Sequence, residues 1–409
     1  MRTAFNAPTN RKRYTRDKLH VLLSLAFICI LNAAAEDWIM VETKINGQKA
    51  HLAFDTGAPK SVLFRKAALR LGVKIIDSQP SGRFNPGEIW VPSSEPFQLT
   101  LNSSTFLTSF GIIDSAITEP CDGVLSWNDF GTNVIQIDGQ SRNLLFLEKL
   151  PETAAQWPHY KLIDKSRGNL SSKWLGFELP RTNGRSSECF IDTGADDGIG
   201  LSSVGLKQWL AANPSAPVTL TAGYYPGLSD GLVVKAEYWA STIDLAGGLQ
   251  LSDVPVKQCA PSVEKVEGFE AILGLFALTR LNVVIDRVGN TIYLKPLVNP
   301  TNSYNYNRLG AVFTPRDIKG GDLIARVIQG TPAYAAGIRD GDILVKIGDL
   351  DATKWQTDPR ILPLSRFWSQ PAGTKLDLSY KHQESLTNAI IELKEIFPRT
   401  VSPAKASRK

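Results

Sequence analysis

Two short stretches of the chain carry the same order of residue types, and each contains an aspartate. They are Phe54–Ala58 and Ile191–Ala195, in which an apolar residue is followed by Asp-Thr-Gly-Ala. Two carboxyl groups held close together cannot both stay ionised, so one serves as a base toward a bound water and the other as an acid toward a carbonyl oxygen. Asp55 and Asp192 are therefore the candidate catalytic residues of a hydrolase that attacks a carbonyl group.

The neighbouring residues suit that chemistry. Gly57 and Gly194 permit the close backbone approach that brings two carboxylates together. The hydroxyls of Thr56 and Thr193 could tie each loop to the backbone of the other. A single Asp-Thr-Gly usually marks only a turn, whereas two in matched surroundings favour a catalytic pair.

The residue after each glycine bears on pH dependence. A serine there could donate a hydrogen bond that favours the ionised carboxylate, and Ala58 and Ala195 cannot. We therefore predict highest activity at mildly acidic to neutral pH, not at strongly acidic pH.

The surrounding sequence predicts the elements that position the two loops. An Asn-Gly pair ends eight residues before each aspartate, at Asn46-Gly47 and at Asn183-Gly184. Asn-Gly between apolar runs predicts a β-hairpin. A tryptophan-led apolar run precedes each pair, at Trp38–Val41 and at Trp174–Phe177. The chain therefore contains a divergent internal duplication.

Short apolar runs separated by Gly, Pro, Asn and Ser dominate both halves. Such spacing is typical of strands in a β barrel or sandwich. Clear strand predictions are 50–54, 97–101 and 143–147. Helices are predicted at 64–71, before Gly72, and at 205–212, before Asn213 and Pro214.

The loops and the segments behind them resemble the retropepsin-like aspartic proteases. In that family, hydrophobic-hydrophobic-glycine segments cross behind Asp-Thr-Gly-Ala loops, and 122–125 and 271–274 are similar to them. The resemblance covers roughly residues 38–298. It implies a mainly β, bilobal, double β-barrel fold with pseudo-two-fold symmetry, with residues 36–155 as the first lobe and residues 156–298 as the second.

By this resemblance the protein is an aspartic-type endopeptidase that acts on polypeptides and needs no cofactor and no metal. Asp55 and Asp192 would form the catalytic dyad. The supporting loop residues would be Thr56, Gly57, Ala58, Thr193, Gly194 and Ala195. The alternative is a peptide-binding protein of the same architecture that has lost catalysis.

Substrate in this family lies under a hairpin flap. Candidate flap residues are Phe84 and Trp90 in the first half, which flank turn residues. Their counterparts in the second half are Tyr224 and Tyr225, which precede Pro226-Gly227. Two ordinary surface hairpins are the alternative interpretation.

Two departures from the family pattern concern the surroundings of the dyad. Ser126 stands where the first lobe is expected to have glycine, so its side chain must be accommodated behind the loop. Asp196 and Asp197 follow the second loop, and further acids near Asp192 would disfavour its ionisation.

The C-terminal part forms a third domain by the same kind of argument. Residues 299–307 are polar and turn-prone and predict a linker. Residues 308–398 resemble a small α+β PDZ domain of the kind appended to bacterial exported proteases, mainly through 331–344. Such a domain binds peptide C termini at a sheet edge, and Leu309, Gly310 and Ala311 would hold the carboxylate. A packing domain without a free groove is the alternative.

The two ends of the chain are predicted to lie outside the folded domains. Residues 1–35 contain six of the basic residues and one acid, so the formal charge of +5 belongs to them and does not indicate a nucleic-acid partner. Their basic stretch, apolar run and Ala33–Ala35 predict a signal peptide, hence a periplasmic or secreted protein. An uncleaved membrane anchor is the alternative. Residues 399–409 are predicted to be a disordered tail.

Other chemistries find less support. The stretch 227–231 matches the Gly-x-Ser-x-Gly elbow of serine hydrolases, but a β-type run follows it where that elbow needs a helix. No Cys or His spacing indicates zinc. Cys121, Cys189 and Cys259 are an odd set, so they predict either one disulfide, such as Cys189 with Cys259, or buried thiols.

Overall fold

The computed structural model describes residues 38–398. Its gaps are residues 59, 84–89, 102–103, 115–120, 128, 130–133, 164–173, 182–183, 196, 225–231, 260–268 and 318–319. The predicted signal peptide (1–35) and tail (399–409) lie outside the described residues. Within the described part, no helix is long and apolar enough to cross a membrane.

Strands account for most of the first half. They are β1 (Met40–Ile45), β2 (Gln48–Asp55), β3 (Val62–Phe64), β4 (Ile75–Arg83), β5 (Trp90–Ser94), β6 (Phe97–Leu101), β7 (Ser104–Thr108), β8 (Gly111–Ile113) and β9 (Gly123–Ser126). They form one sheet in the order β4-β5-β8-β3-β9-β2-β1-β6-β7. The predicted helix is α1 (Arg65–Arg70), and Gly72 follows it with φ +66°.

The β1–β2 hairpin turns at Asn46-Gly47, as predicted. Both residues have positive φ, 49° and 79°, which is the backbone of the two-residue turns that match strand twist. The short turn fixes the register of β2 against β1, so that the apolar residues of β2 enter the core and Asp55 ends the strand.

The second half repeats this arrangement. Two strands that precede it, β10 (Val134–Asp138) and β11 (Asn143–Leu147), still belong to the first half. The second half contains β12 (His159–Lys161), β13 (Leu175–Pro180), β14 (Ser186–Asp192), β15 (Ile199–Leu201), α2 (Ser203–Ala212), β16 (Val218–Tyr224), β17 (Leu232–Asp244), β18 (Gln250–Gln258), β19 (Phe269–Gly274) and α3 (Leu275–Leu278). The second lobe's sheet runs β13-β14-β19-β15-β18-β17-β16. Helix α2 begins two residues before the prediction because Ser202 caps it, its Oγ accepting from the Gly205 N–H.

A shared sheet joins the two lobes. The strands β20 (Leu281–Asp286) and β21 (Thr291–Pro296) complete the order β11-β10-β20-β21-β12. Strand β10 pairs with β20 in antiparallel register from Val134 opposite Asp286 to Asp138 opposite Asn282. Buried apolar residues from both lobes form one continuous cluster.

The described cysteines contribute to that interior as thiols. Cys121, Cys189 and Cys259 are buried, and none of them forms a disulfide. Burial raises the pKa of the Cys189 thiol well above its usual value. Of the two predicted alternatives, the structure therefore has buried thiols.

The C-terminal residues form a separate sheet with its own apolar cluster. Its elements are β22 (Ala311–Asp317), β23 (Gly320–Val327), α4 (Pro332–Ala335), β24 (Ile343–Ile347), β25 (Leu350–Asp351), α5 (Ser365–Trp368), β26 (Lys375–His382) and β27 (Ser385–Glu392). The order is β22-β23-β24-β26-β27, with β25 on β24, so β22 is an edge strand.

The segment 299–307, predicted as a linker, contains no strand or helix but packs on the second lobe. The Tyr306 ring lies 4.4 Å from that of Phe397, and the Tyr304 ring lies 4.7 Å from that of Phe276. Aromatic packing therefore fixes the C-terminal domain to the second lobe at this segment.

Candidate active site

Two strand ends place the candidate dyad. Asp55 is the last residue of β2 and Asp192 the last residue of β14. Each strand runs parallel to the segment that crosses behind its loop: Asp55 lies opposite Ser126 of β9, and Asp192 lies opposite Gly274 of β19. The buried residues Phe54 and Ile191 anchor the ends of the two strands in the core.

The threonines beside the aspartates lock the two loops together. The Thr56 N–H donates to Thr193 Oγ1, and the Thr193 N–H donates to Thr56 Oγ1, both at 3.0 Å. Each hydroxyl then donates to a main-chain carbonyl of the other lobe, Thr56 to Ile191 and Thr193 to Phe54, both at 2.7 Å. Four hydrogen bonds of the two threonines therefore cross from one loop to the other lobe.

The glycines of each loop lie against the carboxylate of the opposite lobe. A Cβ added to Gly57 would lie 2.5 Å from Asp192 Oδ1, and one added to Gly194 would overlap the Asp55 carboxylate. The absence of a side chain at both glycines lets the two carboxylates approach each other across the lobe junction. Each carboxyl group of the pair therefore lies beside the glycine of the opposite lobe.

The hydrogen bonds to the two carboxylates differ. Asp55 Oδ1 accepts from the N–H groups of Gly57 (2.7 Å) and Ala58 (3.0 Å). Asp192 Oδ1 accepts from the Gly194 N–H (3.1 Å), while the Ala195 N–H donates to the Asp192 main-chain carbonyl (3.3 Å). The main-chain donors therefore favour the ionised form of Asp55 more strongly than that of Asp192.

The acidities follow from burial and from these bonds. Burial raises the pKa of Asp55 above its usual value, and the amides of Gly57 and Ala58 oppose that rise. Burial raises the pKa of Asp192 well above its usual value, and the charges of Asp55 and Asp197 raise it further. The pair therefore retains a proton, and Asp192 has a higher affinity for that proton than Asp55 has.

Ser126 is accommodated behind the first loop by hydrogen bonds. Its hydroxyl donates to the Ala58 carbonyl at 2.7 Å, and its N–H donates to Ser61 Oγ at 2.9 Å. In the second lobe the corresponding Ala195 carbonyl accepts from the Leu275 N–H at 2.7 Å. The serine hydroxyl thus supplies the first lobe with a bond that the main chain supplies in the second.

The acids after the second loop are only partly described. Asp196 lies outside the described residues. Asp197 forms an ion pair with the buried Lys257, whose strand position gave no signal beyond one charged residue at the end of an apolar run. Sequence reasoning missed Lys257 and also Glu237, which is buried next to it.

The flap candidates are described only in part. Trp90 begins β5, opposite Arg83 of β4, and Tyr224 ends β16, opposite Leu232 of β17. Both positions therefore lie on antiparallel hairpins. Phe84, Tyr225 and the side chains of Trp90 and Tyr224 lie outside the described residues, as does 227–231.

The predicted carboxylate-binding loop of the C-terminal domain is buried, and a side chain of the chain itself binds two of its amides. The N–H groups of Leu309 and Gly310 donate to Asn307 Oδ1 at 2.9 and 3.2 Å. Ala311 opens β22 and pairs with Val327. Sequence reasoning missed Asn307, although an asparagine shortly before a glycine of positive φ is a known turn signal.

Asn307 also contacts the second lobe. Its Nδ2 donates to the Leu220 carbonyl of β16 (2.9 Å) and to the Ala311 carbonyl (2.8 Å), and its own carbonyl accepts from Thr219 Oγ1 (2.6 Å). Among the described residues, no cluster of His, Cys, Asp and Glu could hold a metal ion.

Comparisons with known proteins give a family match over a short stretch and a distant structural match. A family model described as aspartyl protease matches residues 41–87, a stretch that includes Asp55. No curated protein matches the chain. Among solved structures, an aspartic proteinase from Irpex lacteus matches at 14% identity and a TM-score of 0.39, over 63% of this chain and 93% of that chain. The chain is mainly β, and the part of it around Asp55 is similar to aspartyl proteases.

Proposed function

We propose that the protein is an aspartic-type endopeptidase with Asp55 and Asp192 as its catalytic dyad. The observation that carries the proposal is the arrangement of two half-buried carboxyl groups at the lobe junction, each lying against the glycine of the opposite lobe. Such a pair shares one proton, so it contains an acid and a base at once. The match to the aspartyl protease family supports the class of reaction.

The difference between the two environments supports a division of roles. Ionised Asp55 takes a proton from a water held between the carboxyls, and the water oxygen bonds to the carbonyl carbon of the peptide. Protonated Asp192 gives its proton to the carbonyl oxygen, so the tetrahedral intermediate carries no net charge. Collapse of that intermediate breaks the C–N bond. The proton taken up by Asp55 passes to the leaving amine, and Asp192 takes a proton back from a hydroxyl of the intermediate as the carboxyl group of the product forms.

The raised pKa values of both aspartates support a working pH that is mildly acidic to neutral, as the alanines at 58 and 195 predict. A polypeptide substrate would lie across the lobe junction in extended form, beneath the β4–β5 and β16–β17 hairpins. We propose these hairpins as flaps, with Phe84, Trp90, Tyr224 and Tyr225 as candidate flap residues.

We further propose that residues 308–398 are a PDZ-like domain that binds peptide C termini, from substrates or from a partner. The edge position of β22 supports strand addition. The amides of Leu309 and Gly310 already have an acceptor in Asn307, so binding of a carboxylate there requires Asn307 to turn away. We also propose export by a signal peptide in residues 1–35, which N-terminal sequencing of the mature protein tests.

The test of the catalytic proposal is cleavage of casein by the wild-type chain and by Asp55→Asn and Asp192→Asn. Each variant is expected to cleave casein roughly 10²–10⁴-fold more slowly than the wild type. A pepstatin-type inhibitor is expected to block cleavage by the wild type. Asp138→Asn is the matched control, since Asp138 also ends a strand but lies in the shared sheet. Undiminished cleavage by Asp192→Asn would refute the dyad. A folded wild type without cleavage would favour the peptide-binding alternative.

A further inference from the structure

A buried charged cluster lies on the second lobe's side of the dyad and has no counterpart in the mechanism above. It consists of Asp197, Lys257 and Glu237, with the hydroxyl of Tyr304 at its outer end. Lys257 and Glu237 are 7% and 3% exposed, respectively. Buried charges persist only when they are paired, so the arrangement of this cluster is tightly constrained.

Asp197 is the member of the cluster that reaches the dyad. It lies five residues after Asp192, and its negative charge raises the pKa of Asp192. Its main-chain carbonyl accepts from the Phe276 N–H at 3.0 Å and lies against Gly274, the residue opposite Asp192. Both the charge and the backbone of Asp197 therefore act on the second catalytic loop.

Lys257 controls how strongly Asp197 acts. Its ammonium group forms an ion pair with Asp197 Oδ1, and it extends from β18 directly opposite Glu237 of β17. The paired ammonium offsets the carboxylate charge that Asp192 would otherwise face. In the first lobe the position five residues after the aspartate is Lys60, so the two loops carry opposite charges at corresponding positions.

Glu237 and Tyr304 hold Lys257 in place from the other side. The Tyr304 hydroxyl donates to Glu237 Oε1 at 2.7 Å, and the Tyr304 ring packs on Phe276. Tyr304 belongs to the segment that leads to the C-terminal domain. The cluster thus extends from the junction with that domain to the loop of Asp192.

We propose that Lys257 is a positioning residue of the dyad that acts through Asp197: it fixes the loop after Asp192 and offsets the charge that favours proton retention there. The inference rests on the proposed function and deepens it, because it explains what limits the proton affinity of the aspartate that serves as the acid. Lys257 contacts no substrate in this role.

The kinetic test uses the basic limb of the pH profile of kcat/KM, which reports loss of the dyad's proton. In Lys257→Met, no ammonium group offsets the negative charge of Asp197. The basic limb is therefore expected to move to higher pH by about one unit. Asp197→Asn is expected to move it down. In the Asp197→Asn background, Lys257→Met should then produce no further movement. Lys161→Met, which breaks an exposed ion pair with Glu178 in the same lobe, should leave the limb in place.

A second readout does not depend on catalysis. The free energy of unfolding is measured against pH in chains with and without Asp192→Asn. Because the pKa of Asp192 is higher in the folded state, its contribution to stability is present below its unfolded pKa and is lost as pH rises through its folded pKa. Lys257→Met should extend that loss to higher pH by about one unit. If Lys257→Met does not fold, Lys257→Met/Glu237→Gln removes the second buried charge and serves instead.

The outcomes separate the two proposals. Suppose that Lys257→Met shifts the pH range in which the contribution of Asp192 to stability is lost, but the wild-type chain cleaves no substrate. That result would support the role of Lys257 and refute the endopeptidase assignment. An active enzyme whose pH limb and stability window both stay in place in Lys257→Met would overturn the role of Lys257. The role of Lys257 would also be overturned if Lys257→Met moved the pH limb equally far in the Asp197→Asn background, since Lys257 would then act independently of Asp197.

Discussion

Gly57 has no room for a side chain because the carboxylate of Asp192 occupies that space from the opposite lobe. The backbone of one loop therefore forms part of the enclosure of the other loop's aspartate. Gly57→Ala is expected to displace Asp192 and to lower kcat for a casein-derived peptide by roughly 10²-fold or more. Gly205→Ala, in helix α2 and away from the dyad, is the control and should keep wild-type kcat. Full activity in Gly57→Ala would contradict the proposed enclosure.

The exchange of hydrogen bonds between Thr56 and Thr193 predicts coupled stabilities. Each threonine-to-valine change removes a buried donor and acceptor and should lower the free energy of unfolding by about 1–3 kcal/mol. The double variant should lose clearly less than the sum, because both changes break the same network. Urea unfolding measures this.

A buried threonine with a local bond provides the control for that experiment. The Thr279 hydroxyl donates to the Phe276 carbonyl within one turn. Thr279→Val should therefore add to Thr56→Val without coupling. If the Thr56/Thr193 double variant were additive as well, the inter-lobe bonds would not act as a unit.

Ser126 and Gly274 occupy corresponding positions, but exchanging serine and glycine between them should have different consequences at the two positions. Ser126→Gly removes the donor to the Ala58 carbonyl and should cost about 1–3 kcal/mol while cleavage persists. Gly274→Ser places a side chain on the Asp197 main chain, so the loop of Asp192 must shift and cleavage should be lost. Melting temperature and kcat/KM, measured together, distinguish these results, and an active Gly274→Ser would contradict the second.

The buried Glu237 side chain is expected to make the free energy of unfolding depend on pH near neutrality. Burial raises its pKa to about 7, against the opposing effects of Lys257 and Tyr304. The folded chain therefore binds a proton that the unfolded chain has released, and stability is lost as pH rises from about 4.5 to 7. The loss amounts to about 3 kcal/mol. Glu237→Gln keeps an acceptor for Tyr304 and should flatten this slope in urea titrations.

Tyr304→Phe provides the complementary measurement. Loss of the phenol donor should raise the pKa of Glu237 further and extend the slope to higher pH. An unchanged slope in both variants would show that another group titrates in this range.

Local sequence signals predicted much of the framework. The Asn-Gly turn at 46–47, strand 143–147 and the helix before Gly72 are defined by neighbouring residues, and the structure has them. Duplication of the loops was sufficient to predict that Asp55 and Asp192 meet. These features depend on turn geometry and on the apolar pattern, which are visible in single stretches.

The surroundings of the dyad could not be predicted in the same way. Lys257 lies 60 residues from Asp197 along the chain, and a charged residue at the end of an apolar strand does not reveal its partner. The segment 299–307 reads as a polar linker because its asparagines and serine conceal the packing of Tyr304 and Tyr306. Such contacts depend on how distant elements are placed, which local patterns do not contain.

Both half-sites belong to one polypeptide chain, and the pairing of β10 with β20 joins the two lobes in one sheet. Formation of the dyad is then a unimolecular event, so specific activity should not fall on dilution as it does for a site assembled from two chains. Because each loop is encoded by its own part of the gene, the two halves can also diverge in sequence. A symmetric dimer would have to carry every substitution twice, whereas this chain has Ser126 in one half and Gly274 in the other, and Lys60 in one half and Asp197 in the other. The broken symmetry gives two aspartates of common origin separate evolutionary paths.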